Sequence, residues 1–143
     1  MATINYAMET LQVNEMAKES LVKDFLPLHG TDYIEFYVGN AKQAAYYYIN
    51  AFGFQPVAYA GPETGVKEKA SYVIRQNRVT FVLTTPIRSD NPIAEHIYKH
   101  GDGVKVLALK VDDAKDAWKQ TTLRGAKSFM EPSVFSDANG EVI

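Results

Sequence analysis

The sequence predicts an α+β chain of two β-α-β-β-β units, the second cut short where the sequence stops. Three observations predict it. Residues Tyr33 to Tyr48 read as a strand, a tight turn and a helix. Alternating runs follow at Gln55 to Ala60, Ala70 to Arg75 and Val79 to Thr84, which read as three strands. The strand-cap-helix pattern then returns: Val38 to Val111 and Tyr48 to Thr121 both span 73 positions (111 − 38 and 121 − 48). A constant offset points to an internal duplication. Amphipathic helices after strands are common, so coincidence is the competing explanation.

Each element has a local cause. Residues 1–30 read as an N-terminal arm. Val13, Met16, Ala17 and Leu21 have loose helical spacing there, and Pro27 and Gly30 break any helix before residue 31. In the first strand Ile34, Phe36 and Val38 alternate with Tyr33, Glu35 and Tyr37. Gly39 allows the turn, and Asn40 is placed to cap the helix, with Gln43 three residues on as in a capping box. Ala41, Ala44, Ala45, Tyr48, Ile49 and Phe52 then form one helical face, and Gly53 supplies the left-handed stop. The small alanines let the helix backbone lie close to its own sheet. Gly61 to Gly65 interrupts the chain after the second strand, and Gln76-Asn77 is the expected two-residue turn between the third and fourth. The first module thus spans 31–84.

Residues 85–102 read as a linker with a short helix, opened by Asn91 and Pro92 and running to His100. The second module spans 103–143. Val104 to Val111 is its first strand. Asp113 caps a helix carrying Ala114, Ala117, Trp118 and Thr121, and Gly125 stops it. Lys127 to Phe129 is read as the start of the next strand, and Asp137 to Gly140 as a hairpin turn leading into Glu141-Val142-Ile143. An apolar strand end without a partner is a liability, so the sequence reads as interrupted.

The bulk composition narrows the function. The chain has 143 residues, 46% of them hydrophobic, enough for a packed core. With 15 basic and 17 acidic residues the formal net charge is −2, which gives no basis for nucleic acid or an anionic membrane surface as a main partner. Cysteine is missing from the sequence, which excludes disulfides, thiolate nucleophiles and Cys-based metal sites within it. No apolar run approaches the ~18 residues of a membrane span. No signal peptide is visible, so the cytoplasm is the expected location.

Several motifs in one order resemble the N-terminal half of the 4-hydroxyphenylpyruvate dioxygenases. They are Val38-Gly39-Asn40-Ala41-Lys42-Gln43-Ala44-Ala45, Ala51-Phe52-Gly53-Phe54, Tyr59 to Gly65, Phe81 to Thr84, Lys99 to Val104, Arg124 to Lys127 and Glu131-Pro132. The resemblance covers about Gly30 to the end. It implies paired βαβββ modules of the vicinal-oxygen-chelate type. It also implies an Fe(II) enzyme of tyrosine catabolism that converts 4-hydroxyphenylpyruvate and O₂ to homogentisate and CO₂. In such enzymes two His and one Glu hold the iron and leave open positions for the 2-oxo acid and O₂. All three ligands lie in the C-terminal half. The resemblance therefore implies no catalytic, cofactor or metal residue in residues 1–143, and makes the chain's own C-terminal half its partner, within a homo-oligomer. Hydroxymandelate synthase has a similar architecture and is not separated by this half. A stand-alone binding module of the glyoxalase/bleomycin-resistance type is a further reading, in which two chains pair to complete a cup.

Several residues carry candidate chemistry. His96 and His100 lie four apart on the short helix and could form a metal pair; with Ile97 after His96 this is not His-Glu-x-x-His, and a solvated helix face is the plainer account. Asp32 shares the parity of Ile34 and Phe36 at a strand start where modules of this type often place a ligand. With His29 near it, it is either the trace of a metal site or a polar strand-entry residue. Lys105, Lys110 and Glu35 are read as edge or rim positions. Gly61 to Gly65 lacks the Lys-Ser/Thr step of a phosphate loop. Of Tyr46, Tyr47 and Tyr48, Tyr48 is expected to point inward and Tyr47 outward, toward a subunit contact.

Overall fold

The computed structural model describes residues 24–137 and 140–142. The expected helical arm around Val13, Met16, Ala17 and Leu21 lies outside the described residues. Strand β1 (Thr31–Tyr37) enters helix α1 (Ala41–Phe52) through a turn fixed from both sides. The Gly39 N–H donates to Asp102 Oδ1 at 2.8 Å, and its carbonyl accepts from Thr85 Oγ1 at 2.9 Å. Asn40 Oδ1 accepts from the Gln43 N–H at 3.0 Å, and Gly53 ends the helix at φ 77°. Both helix ends thus satisfy backbone groups that the helix itself leaves unpaired.

After α1 come β2 (Gln55–Ala60), a single 3₁₀ turn (Pro62–Thr64), β3 (Lys69–Gln76) and β4 (Val79–Pro86). Helix α2 (Pro92–His100) is capped by Asn91 Oδ1, which accepts from the Ile93 N–H at 2.8 Å. Strand β5 (Gly103–Leu109) follows. The sheet order is β2-β3-β4-β1-β5. β1 and β4 are parallel, and every other pair is antiparallel. This is the expected α+β fold with its first βαβββ unit complete. The β3–β4 turn differs by one residue from expectation: Gln76 pairs with Val79, so Asn77 and Arg78 form the loop. Asn77 adopts φ 52°, the left-handed conformation such a loop demands and Asn tolerates.

The core lies between α1 and one face of the sheet. Val38, Ala41, Ala45, Phe54, Ile74 and Leu83 are buried, with Tyr48, Phe36 and Phe81 packed against them. Ala41 and Ala45 bring the helix backbone down onto the strands. The Phe81 ring stacks on Phe54 at 5.0 Å and takes the Phe36 and Tyr48 rings edge-on at 5.1 and 5.3 Å. Tyr48 points inward and Tyr47 outward, as expected. Phe52, expected on the buried face, is half exposed. It sits on the last helical residue, where its ring meets Tyr47 and Tyr48 at 5.7 Å.

Residues 29–110 form one compact unit, and the remaining described residues belong to a second. β5, the strand that opens the repeat in the sequence, hydrogen-bonds into the first sheet along the free edge of β1. It runs antiparallel, from Tyr37↔Gly103 to Thr31↔Leu109. In the second unit α3 (Ala114–Leu123) is capped by Asp113 Oδ1, which accepts from the Lys115 and Asp116 N–H groups. β6 (Phe135–Asp137) and β7 (Gly140–Val142) form the hairpin expected around residues 137–140. Lys127 to Phe129, expected to start a strand, does not do so. Ser128 is tied to α3 by the Trp118 indole N–H at 2.8 Å, and Pro132 offers no N–H to a ladder.

Candidate functional site

The candidate residues fall into two groups at opposite ends of β1. Six residue steps separate Thr31 from Tyr37, roughly 20 Å along a strand, so the two groups do not converge.

At the N-terminal end, His29 and Asp32 line one cavity of about 380 Å³ with Arg75, Asn77, Arg78 and Lys110. The chain is held there by two backbone bonds at 2.9 Å, from the His29 N–H to the Lys110 carbonyl and from the Lys110 N–H to the Gly30 carbonyl. The expected proximity of His29 and Asp32 is present. The expected parity of Asp32 is not decisive, because the β1–β5 register shifts between Thr31 and Tyr33. Asp32 therefore shares its cavity with Arg75 and Thr80, neighbours of the core-facing Ile74 and Phe81 whose side chains alternate to the opposite face. Lys110 lies one residue beyond β5.

At the other end, His96 and His100 share a face of α2, with ring centroids 4.7 Å apart. The His96 ring also meets Tyr37 edge-on at 5.5 Å, and Lys105 Nζ sits 5.8 Å from the Tyr37 ring centre. Burial, the Lys105 charge and His100 hold His96 below its ordinary pKa, while burial and then Glu35 push the Tyr37 phenol up. Two cation-prone neighbours around a histidine disfavour a metal cation there.

Between the two groups runs a polar line that the sequence reading placed wrongly. Glu35 is no rim residue: β1 is flanked by β4 and β5, and Glu35 is half-buried. Its Oε1 accepts from Thr84 Oγ1 at 2.7 Å, and Thr84 is fully buried. Ser71 Oγ lies 2.9 Å from the same Thr84 oxygen. The single Thr84 proton is committed to the carboxylate, so Ser71 donates to Thr84. The line crosses β3, β4 and β1 on the face away from α1. Its sequence signal is that each member sits next to a core-facing residue of its own strand, Ser71 beside Tyr72, Thr84 beside Leu83 and Glu35 beside Phe36. The strand order that makes them neighbours is not local information.

Two other features are structural. Tyr59 donates to Glu63 at 2.5 Å, and this bond pushes the phenol up to about 12. Gly61 sits beneath that ring, where a Cβ would collide with the Tyr59 hydroxyl. The Gly61–Gly65 segment is thus a packed turn. A second cavity of about 540 Å³ lies beside α1, lined by Phe36, Ala44, Tyr47, Tyr48, Asp102 and Gly103 among others. No group of three His, Asp or Glu side chains able to hold a metal ion occurs among the described residues. No helix among them is long and apolar enough to cross a membrane.

The chain is similar to known proteins in sequence and fold. Residues 23–140 match the family described as "Hydroxyphenylpyruvate dioxygenase, HPPD, N-terminal". A 4-hydroxyphenylpyruvate dioxygenase of Dictyostelium discoideum is 44% identical over 116 residues, covering 80% of this chain and 32% of its own. The chain thus spans about a third of the length of the curated relatives it matches. Among solved structures, a mutant of 4-hydroxymandelate synthase from Streptomyces coelicolor superposes with a TM-score of 0.70 at 34% identity, covering 74% of this chain and 32% of that one. Methylmalonyl-CoA epimerase from Mycobacterium tuberculosis superposes with a TM-score of 0.64 at 17% identity, over 87% of this chain and 81% of that one, which is a likeness of fold.

Proposed function

Because the chain belongs to the family of 4-hydroxyphenylpyruvate dioxygenase N-terminal domains, we propose that it is the non-catalytic half of an Fe(II) enzyme. That enzyme converts 4-hydroxyphenylpyruvate and O₂ to homogentisate and CO₂. The fold is of the vicinal-oxygen-chelate type, in keeping with that membership. The observation that carries the proposal is the family match over residues 23–140, by a chain that spans about a third of its relatives.

The iron implied by the family does not fit the described residues. A site of two His and one carboxylate needs three donors on one face of the metal. His96 and His100 supply two, with Lys105 beside them in place of a carboxylate, and His29 and Asp32 lie at the far end of β1. We assign no step of the reaction to this chain and propose that the metal ligands lie in a C-terminal half. We further propose a cytoplasmic homo-oligomer. Tyr46 and Tyr47, exposed on α1, support it as the kind of aromatic surface that interfaces use.

The test compares this chain with the same chain joined to a C-terminal half. The joined protein is expected to release homogentisate and CO₂ only with Fe(II), while residues 1–143 neither turn over substrate nor bind Fe(II) tightly. Iron-dependent homogentisate formation by this chain alone overturns the placement of the site. Hydroxymandelate as the product of the joined protein assigns it instead to the synthase that the solved structure resembles.

A further inference from the structure

We propose that the cavity at the β3–β4 turn binds a small, doubly charged oxyanion, through carboxylate or phosphate oxygens. The proposal does not depend on the function assigned above. Three cations reach this cavity from two parts of the chain: Arg75 and Arg78 from the β3–β4 hairpin, and Lys110 from the end of β5. They face a single carboxylate, Asp32, in a chain whose formal net charge is −2. Among the described residues none of the three makes an ion pair, whereas Arg88 and Lys99 elsewhere do, with Asp90 and Glu95. Like charges gathered in one concavity repel, and a bound anion removes that cost.

The geometry is that of an oxyanion receptor. Arg75 Nε donates to Thr80 Oγ1 at 3.1 Å across the hairpin, which fixes the plane of the guanidinium. Its two terminal amino groups make no further bond among the described residues, and they form the fork that matches a carboxylate or phosphate edge. The left-handed Asn77, φ 52°, sets the turn that carries Arg78. The backbone bonds between Lys110 and residues 29–30 fix the ammonium's stem on the other side. Thr31 adds a hydroxyl to the lining. A volume of about 380 Å³ lies at the low end for small-molecule sites, and a mainly polar, cationic wall selects charge over apolar surface.

The experiment titrates the 143-residue chain with inorganic phosphate and, separately, with malonate, at constant ionic strength. It follows backbone amide resonances and heat. The expected result is saturation with a dissociation constant of about 1 mM or tighter, with shifts centred on residues 29–32, 75–80 and 110. The anion that binds tighter decides between a phosphate and a dicarboxylate source. Arg75→Ala and Lys110→Ala are each expected to weaken binding about tenfold. Arg75→Lys keeps the charge but loses the fork and should also weaken it. Asp32→Asn should tighten it. Asp32, Arg75 and Lys110 are exposed, so unchanged amide shifts elsewhere certify each variant's fold, and Lys67→Ala, also at an exposed position, serves as a remote charge control. Shifts that never saturate, that spread over the surface, or that respond equally to Lys67→Ala overturn the proposal.

Discussion

Thr84 gives its one hydroxyl proton to Glu35 across the parallel β1–β4 pair at 2.7 Å, from a position with no solvent exposure. Ser71 completes the line from β3. A donor so placed does for the carboxylate what water does for an exposed one.

Thr84→Val keeps the shape and removes the hydroxyl. It leaves a half-buried carboxylate without its donor and Ser71 without its acceptor. Hydrogen bonds to charged groups contribute about 1.5–3 kcal/mol, and a loss of that size in urea unfolding is expected. Glu35→Gln retains an acceptor oxygen and should cost less than half as much. Equal stability of Thr84→Val and the parent protein would mean that water already satisfies Glu35.

At the β3–β4 loop the left-handed backbone of Asn77 is the sensitive point. Asn77→Gly should leave stability unchanged to within a few tenths of a kcal/mol, since Gly adopts positive φ freely. Asn77→Val should cost about 1–2 kcal/mol, because a β-branched side chain clashes there. The difference in thermal midpoint between the two variants reads the strain directly.

These two sites mark what the sequence could and could not say. α1 and α2 were legible residue by residue because their caps are local: Asn40 with Gly53, and Asn91 with Pro92. The left-handed Asn77 was legible too, though the loop itself fell one residue further on. Glu35 was misplaced because its neighbours come from strands 36 and 49 positions away in the chain. The cationic cavity was overlooked in part for the same reason: Arg75 and Arg78 flank one hairpin turn, but only the sheet order brings Lys110 to them. Lys127 to Phe129 has strand-like residues, but a side-chain bond to Trp118 and a following proline decide otherwise.

The contact of α1 with the sheet is tight enough to punish change in either direction. Leu83 is 1% exposed beneath the helix, and Leu83→Ala should cost about 2–5 kcal/mol. Ala45 is 3% exposed, and Ala45→Leu should cost about 1–3 kcal/mol by forcing the helix off the strands. If Ala45→Leu proves neutral in chemical denaturation, the helix does not sit on the alanines and the packing described above fails.

His96 makes the fold sensitive to acid. Burial against the protein, Lys105 and His100 all hold its pKa below the ordinary 6.5. The unfolded chain therefore takes up a proton at a higher pH than the folded one does. Stability that depends on neutral His96 is fully present above about pH 6.5 and is lost as the pH falls through the lower folded value. The element affected is α2, whose His96 ring meets Tyr37 edge-on at 5.5 Å, beside the Lys105 ammonium. His96→Phe preserves the ring contact and cannot be protonated. It should flatten the fall in thermal midpoint between pH 7.5 and pH 5, and slow amide exchange in Pro92–His100 at the acid end. An identical acid slope in the variant would assign the sensitivity to another group.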